Sequence, residues 1–231
     1  MSVIEIQAKM QIPDSKPVSV VINAPEAGFR PEKWAMVLAH GAGNDMNHSM
    51  LANLAEGLAA QGHLVMRFNF PYREEGKKRP DGQKTLEKAW IAAFKYLKNH
   101  PHFRPQNMIA AGKSMGGRVA SQLQASGAID PKRMIFYGFP LHAPGKKDEP
   151  RSSHFKDINV PTLFFAGTRD SLCDLDALQK NLVQLPLEPA LEIVEGGDHS
   201  FKLPKNADRD KQSVQDELLE KTIAWLDRPI G

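Results

Sequence analysis

A serine with glycine two positions away on either side, in Gly112-Lys113-Ser114-Met115-Gly116, is the place in this sequence where residue types and spacing could do chemistry. The apolar run from Met108 to Ala111 predicts a short buried strand ahead of it, and small and apolar side chains recur at helical spacing from Val119 to Ala125. A serine at the apex of a tight strand-to-helix turn is held clear of the sheet, at the positive end of the following helix, where its hydroxyl can act as a nucleophile. Such a turn strains the serine backbone and brings strand and helix close together, so positions two before and two after must lack side chains. Gly112 and Gly116 meet that demand, and Gly117 adds room. The chemistry implied is acyl transfer, which also needs a base, an acid to orient the base, and donors for a developing oxyanion.

The remaining parts can be assigned to strand ends further along the chain. His199 follows the last predicted strand on the turn Gly196-Gly197 and is the expected base, then acid toward the leaving group. Asp170 follows the strand before it and is the expected partner of the other imidazole nitrogen. Its rivals, Asp174 and Asp176, read equally as acidic groups at a helix start. Asp198 reads as a brace of its own turn. One oxyanion donor is the N–H of Met115, the residue after the serine. The other is expected from His40-Gly41-Ala42-Gly43, with Ala42 first and Gly43 next. Gly41 and Gly43 are expected against the substrate, and His40 as a hydrogen-bonding brace of that loop. His142, in a loop rich in proline and glycine, is expected either to line the pocket or to lie at the surface. Cys173 reads as a small buried residue rather than a nucleophile. No His, Cys or carboxylate cluster has metal-ligand spacing and no glycine loop has the phosphate-binding pattern, so neither metal nor cofactor is expected.

The elements that must position these residues follow from hydrophobic patterning. Val3 to Ala8 and Val18 to Ile22, separated by Pro13-Asp14-Ser15, predict an antiparallel hairpin. Trp34 to Ala39 is a continuous apolar run, the mark of a strand buried on both faces. Further strands are predicted at His63 to Phe70, Arg133 to Phe139, Thr162 to Ala166 and Leu191 to Val194. Helices are predicted from Met50 to Gly62, Gln83 to Asn99, Ala177 to Leu185 and Val214 to Leu226. Tyr72 to Gly82 and Pro140 to Asp157 read as loops. Strands alternating with helices imply an α/β fold with a mostly parallel sheet of about eight strands and helices on both faces. In such sheets ligands bind beyond the carboxyl ends of the strands, where each residue named above falls.

With these motifs in place the whole chain resembles the α/β-hydrolase superfamily: His40-Gly41, Gly112-Lys113-Ser114-Met115-Gly116-Gly117, Gly167-Thr168-Arg169-Asp170 and Gly197-Asp198-His199 carry the likeness. It is similar in particular to the small, lid-poor branch related to dienelactone hydrolases and to testis-expressed and NSL-complex hydrolase-like proteins, through Phe139-Pro140-Leu141-His142-Ala143-Pro144-Gly145 as well. The resemblance implies a triad of Ser114, Asp170 and His199. Dienelactone hydrolase has a cysteine nucleophile where this chain has serine. Relatives with an aspartate nucleophile, the epoxide hydrolases and haloalkane dehalogenases, carry chemistry that the serine excludes. The short stretch between the strands at Arg133 and Thr162, where many members insert a helical lid, implies little or no lid and an open site for small or exposed acyl groups.

Composition sets the outer limits. At 231 residues, 41% hydrophobic and 25% charged, the chain reads as one globular domain over residues 1–231. A formal charge of +3 is too small to imply nucleic acid, and the basic run Lys77-Lys78-Arg79 is diluted by Glu74, Glu75 and Asp81. No apolar stretch approaches membrane-spanning length, so no membrane partner is expected. The single cysteine, with a start unlike a signal peptide, leads us to expect a cytoplasmic protein. The sequence sets no oligomeric state. It favours a serine hydrolase of esterase or thioesterase type acting on a small acyl substrate. The rival readings are a non-catalytic scaffold that keeps the fold, and a small peptidase or acyltransferase.

Overall fold

The computed structural model describes residues 1–229. Among them, the apolar and β-branched runs form eight strands: β1 (Val3–Met10), β2 (Val18–Pro25), β3 (Trp34–Ala39), β4 (Leu64–Phe68), β5 (Asn107–Lys113), β6 (Arg133–Tyr137), β7 (Thr162–Gly167) and β8 (Ala190–Val194). They make one sheet in the order β1-β2-β4-β3-β5-β6-β7-β8. The segments from β3 onward pair in parallel, while β2 runs antiparallel to both β1 and β4. The hairpin thus caps one edge of the parallel sheet, as its alternating pattern predicts.

Six α-helices cover the sheet: α1 (Ser49–Ala60), α2 (Pro71–Glu74), α3 (Gln83–Lys98), α4 (Met115–Ala125), α5 (Leu175–Leu182) and α6 (Lys211–Leu226). Strand side chains alternate between two cores because successive residues point to opposite faces. Ala35, Val37, Met108, Ala110, Met134 and Phe136 join one core with α3, α4 and α5. Trp34, Met36, Ile109, Ala111, Ile135 and Tyr137 join the other with α1 and α6. Both faces are therefore dry, which is why these strands read as unbroken apolar runs rather than alternating ones.

One expectation changes at the end of an element, and another, the missing lid, holds. The stretch from Tyr72 to Gly82, read as a polar loop, begins with the short helix α2, whose first residue is a proline that needs no N–H partner there. Its Tyr72 is fully buried, with the ring edge-on to His40 at 5.9 Å and the N–H donating to Asp81 at 2.9 Å. The connection from β6 to β7 contains only a 3-10 turn, Phe155–Asp157, so no helical lid stands over the carboxyl ends of the strands.

Candidate active site

Ser114 ends β5 and starts α4 with φ 50° and ψ −117°, a left-handed backbone that is unusual for serine. The strain is sustained by close packing that only glycine permits. A Cβ on Gly112 would meet the backbone of Gly116 and Gly117, and one on Gly116 would come within 2.7 Å of the Ala39 and His40 carbonyls. The Ser114 N–H donates to the Tyr137 carbonyl at 3.2 Å, and the buried Trp90 indole holds the Gly116 carbonyl at 2.9 Å. These contacts fix the turn from neighbouring strand and helix, and Ser114 stays half-buried at its apex.

Asp170 and His199 come from the two loops beyond β7 and β8, which cross backbone to backbone. Arg169 N–H donates to the Gly197 carbonyl at 2.9 Å, and a Cβ on Gly167 would collide with that carbonyl. The Asp170 side chain is fully buried and accepts from the Leu172 N–H at 2.8 Å. Its carboxylate lies 2.8 and 3.0 Å from His199 Nδ1, and His199 Nε2 lies 2.7 Å from Ser114 Oγ. With Nδ1 protonated toward the carboxylate, Nε2 is free to accept the serine proton. Ser114, His199 and Asp170 are thus one continuous chain of hydrogen bonds. The rival carboxylates are used elsewhere: Asp174 caps α5 by accepting from Ala177 N–H at 3.1 Å, and Asp198 braces its own turn through the N–H groups of Ser200 and Lys202 at 2.7 and 2.9 Å.

The loop after β3 comes up against the serine. A Cβ on Gly41 would stand 3.3 Å from Ser114 Cβ, and Asn44 N–H closes the loop on the Gly41 carbonyl at 3.3 Å. Ala42 and Gly43 are exposed, with Gly43 at φ 76°. Among the described residues the N–H groups of Ala42 and Met115 have no protein partner, which leaves two donors beside Ser114 open to a ligand. His40 is buried behind them; its Nδ1 donates to the Gly41 carbonyl at 2.8 Å and its Nε2 accepts from Phe70 N–H at 3.2 Å. Burial lowers its pKa to about 4, so the ring is neutral and acts as a brace.

His142 does not take the place expected of it. Its ring is 1% exposed, with Nδ1 bonded to the Ala143 carbonyl at 3.0 Å, so it lines neither a pocket nor the surface. The chain folds back at Arg151, whose N–H meets the Leu141 carbonyl, a contact that loop composition does not reveal. Cys173 is a buried thiol pushed up to about 12, first by burial and then by Asp170, which keeps it protonated and unreactive. Sequence reasoning passed over Lys113, whose ammonium is buried beneath the His199 turn with its Nζ 2.5 Å from the His199 carbonyl. The signal available was position alone, since a residue at the end of a doubly buried strand shares the burial of its neighbours.

A cleft of about 300 Å³ is lined by Asn44, His48, Met50, Phe201, Lys202 and Lys211 among others. A larger surface cavity, about 650 Å³ between the β1–β2 turn and α2, contains none of these site residues. Neither cavity is lined by Ser114, His199 or Asp170 themselves, and the smaller one includes residues of the loops that carry Gly41 and His199. Among the described residues no three His, Cys, Asp or Glu side chains converge as a metal-binding set.

A family model described as an alpha/beta hydrolase domain matches residues 32–227. The chain belongs to the α/β-hydrolase domain family. Solved structures share its fold at low identity. The dienelactone hydrolase of Anabaena variabilis is 17% identical, with 96% of each chain covered and a TM-score of 0.74. A serine hydrolase without a lid from Xanthomonas campestris is 20% identical, covering 97% of this chain and 96% of that one, with a TM-score of 0.72. The esterase Pf2001 of Pyrococcus furiosus is 16% identical, covering 99% and 93%, with a TM-score of 0.77.

Proposed function

We propose that this α/β-hydrolase family member is a serine hydrolase that cleaves small esters or thioesters through an acyl-enzyme. The observation that carries the reading is the unbroken chain Ser114 Oγ–His199 Nε2–His199 Nδ1–Asp170 on a strained turn, with contacts of 2.7 and 2.8 Å. Ser114 Oγ attacks the acyl carbon while His199 Nε2 takes its proton, and buried Asp170 orients the imidazole and stabilises the imidazolium. The carbonyl oxygen, now negative, is received by the N–H groups of Ala42 and Met115. His199 returns the proton to the leaving alcohol or thiol as the carbon–oxygen or carbon–sulfur bond breaks. Water then repeats the sequence on the acyl-enzyme, releasing the acid and the free serine.

The absence of a helical segment between β6 and β7 supports small or exposed acyl groups as substrates, presented to an open site. Gly41 and Gly43 form the floor of that approach. A small-molecule acyl substrate and residence in the cytoplasm belong to the same reading, the latter in keeping with a lone buried free thiol. The alternative is a scaffold that retains the triad geometry without turnover.

Labelling with a fluorophosphonate probe, native chain against Ser114→Ala, decides between them, together with a short-to-long acyl ester series. The expected result is stoichiometric labelling of the native protein, lost in Ser114→Ala, with ester turnover falling by at least about 10³-fold. A folded native protein that does not label favours the scaffold.

A further inference from the structure

One buried cation is left unused by the proposed chemistry. Lys113, the last residue of β5, is 5% exposed and continues the inward row of Ile109 and Ala111 toward α1 and α6. Its Nζ donates to the main-chain carbonyl of His199 at 2.5 Å and lies 5.5 Å from the centroid of the Phe201 ring. Gly138, at φ 68°, makes the socket: a Cβ there would come within 2.9 Å of Lys113 Nζ and 3.1 Å of the His199 carbonyl. Phe201 holds φ 58°, an uncommon backbone for an aromatic residue, at the turn that lays its ring over the ammonium. Among the described residues no carboxylate is within ion-pair distance of Lys113.

Packing does not account for a lysine here, because methionine is of similar length and fills such space without burying a charge. What lysine adds is a charged donor, whose bond to a carbonyl is roughly twice as strong as a neutral one and which alone attracts an aromatic face. We propose that Lys113 is a positioning residue of the Ser114 site, clamping the main chain at His199 so that the imidazole stays between Ser114 and Asp170. The inference rests on the serine-nucleophile reading given above. The titratable groups facing Lys113 are Asp170 and Asp198, which favour its charge, with Cys173 and His48 beside them. Burial outweighs the two carboxylates and lowers Lys113 to about 8, so the clamp slackens as pH rises through that value.

The test compares fluorophosphonate labelling rates and ester kinetics from pH 6 to 10 for the native chain, Lys113→Met and Lys113→Gln. We expect Lys113→Met to label about 10- to 100-fold more slowly at pH 7, the loss typical of a misplaced catalytic group, with kcat carrying the change and KM nearly constant. The native rate falls above about pH 8, and neither variant shows that limb. Lys113→Gln, which keeps a donor but no charge, is expected to resemble Lys113→Met. Native-like labelling by either folded variant overturns the clamp, and so does a native profile flat through pH 8, which needs no variant to fold. A native chain that never labels is a different failure: it overturns the nucleophile reading, and the clamp falls with it.

Discussion

Two buried cations lie on the same face of the sheet, at opposite ends of neighbouring strands, and they are held in different ways. Arg133 opens β6 at the end remote from Ser114. Its guanidinium is stacked between Trp34 and Trp225, 4.8 and 4.9 Å from their ring centroids. It donates to the carbonyls of Trp225, Leu226, Arg228 and Pro229 at 2.5 to 3.1 Å, satisfying the exposed carbonyl end of α6. Lys113 closes β5 at the other end, with a single carbonyl and a single ring as partners. The cation with four carbonyl partners ties a helix to the sheet. The sparsely bonded one costs stability and sits where the site is. Carboxyl ends of parallel strands carry chemistry while the opposite ends carry fold, and the two side chains divide along that line.

The largest expected effect breaks the remote end. Arg133→Ala leaves several carbonyls unpaired and opens a gap between two indoles, and should destabilise by roughly 4 kcal/mol in denaturant unfolding. The fraction that remains folded should still label at the native rate. A labelling defect as large as that of the Lys113 variants would erase the distinction between the two ends.

The next effect concerns Lys113 itself. Its pKa is about 8 in the folded chain against an ordinary 10.5, so between those values the unfolded chain binds more protons and stability rises with pH. The shift corresponds to something on the order of 3 kcal/mol, seen as native stability minus that of Lys113→Met across this window. Arg133 keeps its charge there and should contribute no slope.

An effect of similar size to that of Lys113 comes from two buried histidines, one at each end. His40 follows β3 at the site and His63 precedes β4 remote from it, and burial lowers each to about 4. Both are neutral in the folded chain. Below pH 6.5 the unfolded chain takes up their protons first, so stability falls as pH drops from 6.5 to 4, by an amount on the order of 3 kcal/mol for each. Substituting either should flatten the acid limb. Only His40→Gln should also slow labelling, because only His40 braces the Gly41 loop.

Much of the site was legible because the demands on it are local. A strained turn between strand and helix requires glycine at Gly112 and Gly116 whatever surrounds it, and the structure shows the backbone contacts that exclude a Cβ. The carbonyl brace at His40 and the helix-capping role of Asp174 follow in the same way from immediate neighbours. The burial of His142 and of Tyr72 was not legible in the sequence. In a loop of proline, glycine and charge, composition does not say which ring is covered.

The sequence by itself determined the elements, the position of the serine turn, and the placing of aspartate and histidine after successive strands. Those properties depend on side-chain volume, hydrophobic period and backbone freedom within a few residues. Tertiary structure alone decided that β7 and β8 pair, so that Asp170 and His199 meet at 2.8 Å, and that the His199 turn and the Phe201 ring close over the end of β5. That closure makes Lys113 a buried cation instead of a solvated one. Its charge is written in the sequence, but its burial is a property of the residues that surround it, among them His199, 86 positions away.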